Sequence, residues 1–175
     1  MGSRIFTAVV LALAGAVIVI FAMPSYRQGE PGIAGKQAQN FSFELNGHAT
    51  QLSDFRGKVV VLNFWATWCP PCVAEVDSLS ALQRDISKRG GVVLGVSIDE
   101  DPDAYQKFLS DHHVPFPTFR DPTKKIADSY GTSMWPETYI IDTDGRIARK
   151  IVAEQDWDSP ALEGYVESLL PAGGK

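Results

Sequence analysis

The only two cysteines of this chain are separated by two prolines, at residues 69–72. Residues 59–65, just before them, form a short uncharged run rich in β-branched and aromatic side chains, which is typical of a strand buried on both faces. After the second cysteine, apolar residues recur at intervals of three and four: Val73, Val76, Leu79, Leu82 and Ile86. This period predicts an amphipathic helix. Both cysteines are therefore predicted where a buried strand passes into a helix.

The position at a helix N-terminus affects the chemistry of the cysteines. Unpaired N–H groups and the positive end of the helix dipole favour the thiolate, which is the form that attacks disulfides. We interpret the pair as a redox dithiol, with half of a metal site, a peroxide-reducing cysteine and a static disulfide as alternatives. Zinc normally requires a second pair of cysteines or histidines, and the sequence has none at a defined spacing. The Pro-x-x-x-Thr-x-x-Cys pattern expected of a peroxide-reducing cysteine is absent at Cys69.

The sequence around the cysteines resembles that of a known family. Trp-Cys-Pro-Pro-Cys at residues 68–72, preceded by Asn-Phe-Trp-Ala at residues 63–66, is similar to the thioredoxin superfamily and to its membrane-anchored TlpA/ResA-like branch. The resemblance covers residues 40–170. It implies an α/β fold in which a mixed sheet is flanked by helices, with an extra N-terminal β-hairpin and a central helical insertion.

The residues before this domain predict a membrane attachment. Residues 5–23 carry no charge, and a helix of that length spans about 28 Å, close to the roughly 30 Å of bilayer hydrocarbon. Residues 1–24 are therefore predicted to be an uncleaved anchor, with a cleaved signal peptide as the alternative. Arg4 favours a cytoplasmic N-terminus, so that the domain faces outward. Residues 25–39 are predicted to be a flexible linker, residues 40–170 the thioredoxin-like domain and residues 171–175 a tail.

The order of elements follows from local patterns. We predict a β-hairpin turning at Asn46-Gly47, the central strand, the cysteine helix, a parallel strand at residues 92–98, helices from Asp101 and from residues 121–123, a second hairpin at residues 137–152, and a last helix from Ser159. A net charge of −5 with interspersed signs argues against nucleic acid as a partner.

Glu75 is the strongest additional candidate for chemistry. It is the one charged residue on the inward arc of the predicted helix, three positions after Cys72. Partial desolvation would raise its pKa and let it accept the proton of the Cys72 thiol. The alternative is a first-turn carboxylate that complements the helix dipole. The resemblance favours the first interpretation, since the TlpA/ResA-like branch has a functional Glu here. The chain also has Asn63 where ordinary thioredoxins have a buried Asp.

A second candidate is the segment Trp135-Pro136. The resemblance implies that Pro136 is a cis-proline above the active disulfide, and that backbone groups beside it pair with a substrate chain. Trp68 and Trp135 would then rim a substrate groove, with ordinary packing as the alternative. His112 and His113 are predicted to lie at a polar helix end. In the alternative of a copper site, one of the two would bind the metal together with Cys69 and Cys72.

The function predicted from these residues is an extracytoplasmic thiol–disulfide oxidoreductase that reduces protein disulfides without a cofactor. Cys69, expected to be exposed, attacks the substrate, and Cys72 with Glu75 resolves the mixed disulfide. The resemblance implies a membrane thiol electron donor and apocytochrome c as a client, in cytochrome c maturation at the cytoplasmic membrane. A copper metallochaperone and a thiol peroxidase are the alternatives.

Overall fold

The computed structural model describes residues 32–171. Its strands are β1 (Ser42–Leu45), β2 (His48–Gln51), β3 (Val59–Trp65), β4 (Gly91–Ser97), β5 (Thr118–Arg120), β6 (Glu137–Ile141) and β7 (Ile147–Val152). Its helices are α1 (Pro70–Ala74), α2 (Val76–Ile86), α3 (Pro102–Asp111), α4 (Lys125–Ser129) and α5 (Pro160–Leu169). The predicted anchor, residues 25–31 of the linker and residues 172–175 of the tail lie outside this range. Within it, no helix combines the length and the apolar character that crossing a bilayer requires.

A five-stranded mixed sheet in the order β5-β4-β3-β6-β7 forms the centre of the domain. β3 pairs with β4 in parallel and with β6 antiparallel. Every residue of β3 and β4 is buried, which confirms the two predicted central strands. Because side chains alternate along a strand, Val60 and Leu62 enter one apolar cluster and Val59 and Val61 the other.

Helices cover both faces of this sheet, as predicted. The cluster around Val61 includes Leu79, Leu82 and Ile86 of α2 and Leu162 and Val166 of α5. Helices α3 and α4 and the β1–β2 hairpin pack on the opposite face. The hairpin forms a separate two-stranded sheet. Asn46 and Gly47 have positive φ angles of 52° and 78°, as a type I′ turn requires, and the hairpin predicted at this dipeptide is confirmed. Phe43 of this hairpin stacks on Phe119 of β5 with ring centroids 4.2 Å apart.

Two helices differ from the prediction. The helix after β5 begins only at Lys125, because the Asp121 carboxylate accepts hydrogen bonds from the Thr123 hydroxyl and the Ile126 N–H and so stabilises a turn. Lys124 lies in the left-handed region at φ 58°, which keeps the turn out of the helix. The cysteine helix is divided in two at Glu75, whose backbone ends α1 and begins α2.

Residues 35–38, which the sequence analysis assigned to the linker, are attached to the domain by backbone hydrogen bonds. Gly35 donates to the carbonyl of Ile147, and Ile147 donates to that of Lys36, each at 2.8 Å. Ala38 donates to the carbonyl of Gly145 at 2.9 Å, and its side chain is buried. Residues 35–38 therefore pair with the start of edge strand β7, whose N–H and C=O groups would otherwise be exposed there.

Candidate active site

Cys69 and Cys72 form a disulfide with their Cα atoms 5.2 Å apart, at the junction of β3 and α1. Cys69 is the N-cap of α1, and its Sγ accepts a hydrogen bond from the Cys72 N–H at 3.3 Å. Pro70 and Pro71 lack an N–H, so Cys72 supplies the first donor of this helix. The expectation of an exposed Cys69 is wrong for the oxidised state, because the disulfide holds its sulfur over the helix N-terminus. Cys69 is 5% and Cys72 1% exposed.

Glu75 lies one turn further along and is 1% exposed. Its Oε1 accepts a hydrogen bond from Asn63 Nδ2 at 2.7 Å. Its Oε2 accepts one from Trp157 Nε1 at 3.1 Å and one from the Gln155 N–H at 3.3 Å. Side chains alternate along a strand, so Asn63 lies on the same face of β3 as Val61. Because α2 packs on this face, Asn63 is within hydrogen-bonding distance of Glu75.

Burial raises the pKa of Glu75 from 4.5 to about 7. The hydrogen bonds from Trp157, Asn63 and Gln155 act in the opposite direction, because they stabilise the ionised form. The negative charge of Glu154 adds a smaller increase. The predicted inward orientation of Glu75 is thus confirmed, and near neutral pH its carboxyl group can both accept and release a proton.

Pro136 lies at the same end of the sheet as the cysteines. The pairing of Phe64 with Glu137 places it beside the carboxyl end of β3, and the peptide bond between Trp135 and Pro136 is cis, as the resemblance implied. Pro136 is buried and Trp135 half-buried, whereas Trp68 is 60% exposed. Met134, which the sequence analysis did not single out, is 56% exposed. The ends of the two strands therefore bring Trp68, Trp135 and Pro136 to the end of the sheet that carries the disulfide.

A buried carboxylate that the sequence analysis missed holds the segment before Cys69. Both the N–H and the hydroxyl of Thr67 donate to the Asp99 carboxylate, the hydroxyl at 2.6 Å. Ser97 at the end of β4 donates to the same group, also at 2.6 Å. An Asp directly after a buried apolar strand was the available signal, because parallel strands end at the same edge of a sheet.

The histidines are not brought to the cysteines. His112 ends α3, and its ring stacks on that of Phe108 with centroids 4.1 Å apart. Among residues 32–171, the one group of three or more His, Cys, Asp or Glu side chains close enough to share a metal ion consists of Asp85, Glu163 and Glu167. Arg89 forms ion pairs with Asp85 and Glu167.

Comparison with known proteins gives consistent similarities. The model of the AhpC/TSA family matches residues 34–150. The thiol-disulfide oxidoreductase ResA of Bacillus thuringiensis (strain Al Hakam) is 33% identical over 164 residues, which are 93% of this chain and 94% of that protein. The ResA of Bacillus subtilis (strain 168) is 30% identical over 138 residues, 78% of this chain and 76% of that one.

Solved structures show the same fold. A candidate thiol:disulfide interchange protein DsbE from Chlorobium tepidum superposes with a TM-score of 0.74 at 29% identity, over 79% of this chain and 98% of that one. A secreted thiol-disulfide isomerase from Corynebacterium glutamicum superposes with a TM-score of 0.66 at 27% identity, over 82% of this chain and 89% of that one.

Proposed function

Because the chain belongs to the AhpC/TSA family and is a thiol–disulfide oxidoreductase of the ResA type, we propose that it reduces protein disulfides on the outer side of the cytoplasmic membrane. One observation carries the reducing mechanism: a buried carboxyl group with a pKa of about 7 follows Cys72 by three residues on the cysteine helix. A group of that kind can take up the thiol proton that the resolving step must release.

The proposed reaction starts from the reduced dithiol. The Cys69 thiolate attacks one sulfur of the substrate disulfide, and the other sulfur leaves as a thiolate. Glu75 then accepts the proton of the Cys72 thiol, and the Cys72 thiolate attacks the Cys69 sulfur of the mixed disulfide. The second substrate sulfur leaves and is protonated. Two electrons have then passed to the substrate, and the Cys69–Cys72 disulfide remains. The exposed Trp68 and the half-buried Trp135 are the proposed contacts for the substrate chain.

The reducing direction is supported by the N–H groups available to Cys69. An N-cap side chain accepts hydrogen bonds from the second or third residue of its helix. The second residue here is Pro71, so the Cys72 N–H is the donor that reaches the Cys69 sulfur. A thiolate with fewer donors is less stabilised, and a less stabilised reduced form has a lower reduction potential.

We expect the reduction potential to lie nearer the roughly −270 mV of thioredoxin than the roughly −120 mV of a strong oxidant. Equilibration with glutathione or dithiothreitol buffers measures it. Pro71→Ala returns an N–H within reach of Cys69 and should raise the potential. Pro70→Ala returns one at the first helix position, where it does not reach the cap, and is the matched control. A parent value near about −120 mV would contradict the reductase assignment.

Location and client are further parts of the proposal. The uncharged residues 5–23 support an anchor that leaves the domain outside the cytoplasm, where a membrane thiol donor would return it to the reduced state. Apocytochrome c is the proposed client, since haem attachment requires reduced cysteines. Deleting the gene should then lower holocytochrome c, and an external thiol should restore it. Unchanged holocytochrome c levels in the deletion strain would rule out this client.

A further inference from the structure

Trp157 is a fully buried residue in a mostly polar loop. It lies between β7 and α5, with Asp156 and Asp158 exposed on either side. Its ring packs in the apolar cluster that includes Leu79 and Leu162. Its indole N–H donates to Oε2 of Glu75 at 3.1 Å, across 82 residues of chain. The side chain therefore joins the β7–α5 loop to the carboxyl group of the site.

Different parts of the fold hold the two oxygens of Glu75. Asn63 donates through Nδ2 to Oε1 and also to the Thr138 hydroxyl, at 2.7 and 2.9 Å, so it ties the first oxygen to the sheet. The β7–α5 loop holds the second oxygen through Trp157 and Gln155. An indole N–H can only donate, so the Trp157 bond suits the carboxylate and not a proton on Oε2. Uptake of a proton at that oxygen must weaken this bond.

We propose that Trp157 is a positioning residue, which fixes Oε2 of Glu75 through its indole N–H and thereby sets the pH range in which the site exchanges the Cys72 proton. The inference rests on the proposed role of Glu75 in resolving mixed disulfides. Trp157 itself touches neither the substrate nor the reacting sulfur atoms in this proposal. Its effect passes entirely through the carboxyl group.

The charges around Glu75 support this assignment. Burial and the nearby Glu154 both oppose its ionisation, whereas the groups that favour ionisation are the neutral donors Trp157, Asn63 and Gln155. Lys150, on the strand β7 that precedes the β7–α5 loop, forms a buried ion pair with Glu137 instead of Glu75. Removing one of these donors removes a group that stabilises the carboxylate, while the effect of burial remains. The pKa of Glu75 should therefore rise.

The test is Trp157→Phe, which keeps an aromatic ring and removes the N–H. We expect Glu75 to titrate at a pH higher by about one unit, a tenfold change in proton affinity, when its carboxyl carbon is followed by NMR in the oxidised protein. The pH dependence of disulfide reduction should move in the same direction. Benzothienylalanine at position 157 keeps the bicyclic volume without the N–H, and it should reproduce the shift even if Phe leaves a damaging gap.

Two controls separate this role from packing. Trp65 is also a buried tryptophan, but its N–H faces the Thr118 hydroxyl at 3.4 Å. Trp65→Phe should leave the titration of Glu75 unchanged. Trp157→Phe added to Glu75→Gln should leave the pH profile of the single Glu75→Gln variant unchanged, because the carboxyl group through which it acts is gone. A shift that persisted in the double variant would overturn the proposal.

The carboxyl titration also distinguishes this inference from the proposed function, since it requires no turnover. An unchanged titration in both position-157 variants would overturn the role of Trp157, even if the protein reduces disulfides through Glu75. A shifted titration in a protein whose turnover does not depend on Glu75 would support the hydrogen-bond effect and contradict the resolving mechanism on which the inference rests.

Discussion

Cys72→Ser is expected to reduce catalytic turnover to background while Cys69 accumulates mixed disulfides with its substrates. The serine hydroxyl cannot displace a sulfur, so the reaction stops after the first attack. Both cysteines are buried in the oxidised protein. The step that the variant lacks is the attack of residue 72 on the Cys69 sulfur of the mixed disulfide. Non-reducing electrophoresis of the variant incubated with a disulfide-containing peptide should show one adduct per chain, which a thiol reductant releases.

The matched control for this trap is Cys69→Ser. It removes the attacking sulfur, so it should abolish turnover without forming an adduct. If Cys69→Ser formed the adduct and Cys72→Ser did not, the two cysteines would have the opposite roles. If the Cys72→Ser variant kept its turnover, the two-cysteine mechanism would be wrong.

Glu75→Gln is expected to slow disulfide reduction at neutral pH by about a hundredfold, the lower end of what general acid–base catalysis contributes. The parent rate should rise with pH through the pKa of Glu75, about 7, as the carboxylate form accumulates. The variant should lack this ionisation. Stopped-flow turnover between pH 5 and 9 measures both, and alkylation of Cys69 by iodoacetamide should change less, because its thiolate depends on the helix terminus.

The same variant should alter how stability depends on pH. In the parent, the pKa of Glu75 is about 7 when folded and near its ordinary 4.5 when unfolded, so the free energy of unfolding falls as the pH rises from about 4.5 to about 7. Glu75→Gln removes that fall. Because the neighbouring groups all donate N–H bonds, the amide leaves one donor without an acceptor, and the variant should be less stable than the parent at low pH. The deficit should shrink as the pH rises.

Glu154→Gln is the matched control for both measurements. It removes an exposed carboxylate close to Glu75 and should lower the pKa of Glu75 slightly without removing the base.

A turnover profile of Glu75→Gln that superimposes on that of the parent would contradict the acid–base role. Glu75 would then be only a carboxylate that complements the helix dipole.

Local patterns predicted the elements that position this site. The uncharged runs of β3 and β4, the Asn46-Gly47 turn and the apolar period after Cys72 are each encoded within a few residues. The inward orientation of Glu75 followed from the same helical period. These features depend on neighbours in sequence, so a single chain was enough to predict them.

The partners of Glu75 were not predictable in this way. Trp157 and Gln155 reach it from 82 and 80 residues away, and such contacts depend on how α5 and its preceding loop pack. The attachment of residues 35–38 was missed for a different reason. Backbone hydrogen bonds to an edge strand leave little trace in side-chain pattern, and the Gly-containing, polar sequence there is also that of a linker.

The attachment of residues 35–38 and the cysteines lie at opposite ends of the sheet. These residues join the sheet at the turn between β6 and β7, whereas the cysteines lie beyond the carboxyl end of β3, which runs antiparallel to β6. Residues 35–38 and the cysteines are therefore separated by about 17 Å, the length of β6. If the protein is anchored as proposed, the linker joins the domain at the end of the sheet opposite the disulfide, and the orientation of the domain must allow that distant end to meet a donor within the membrane.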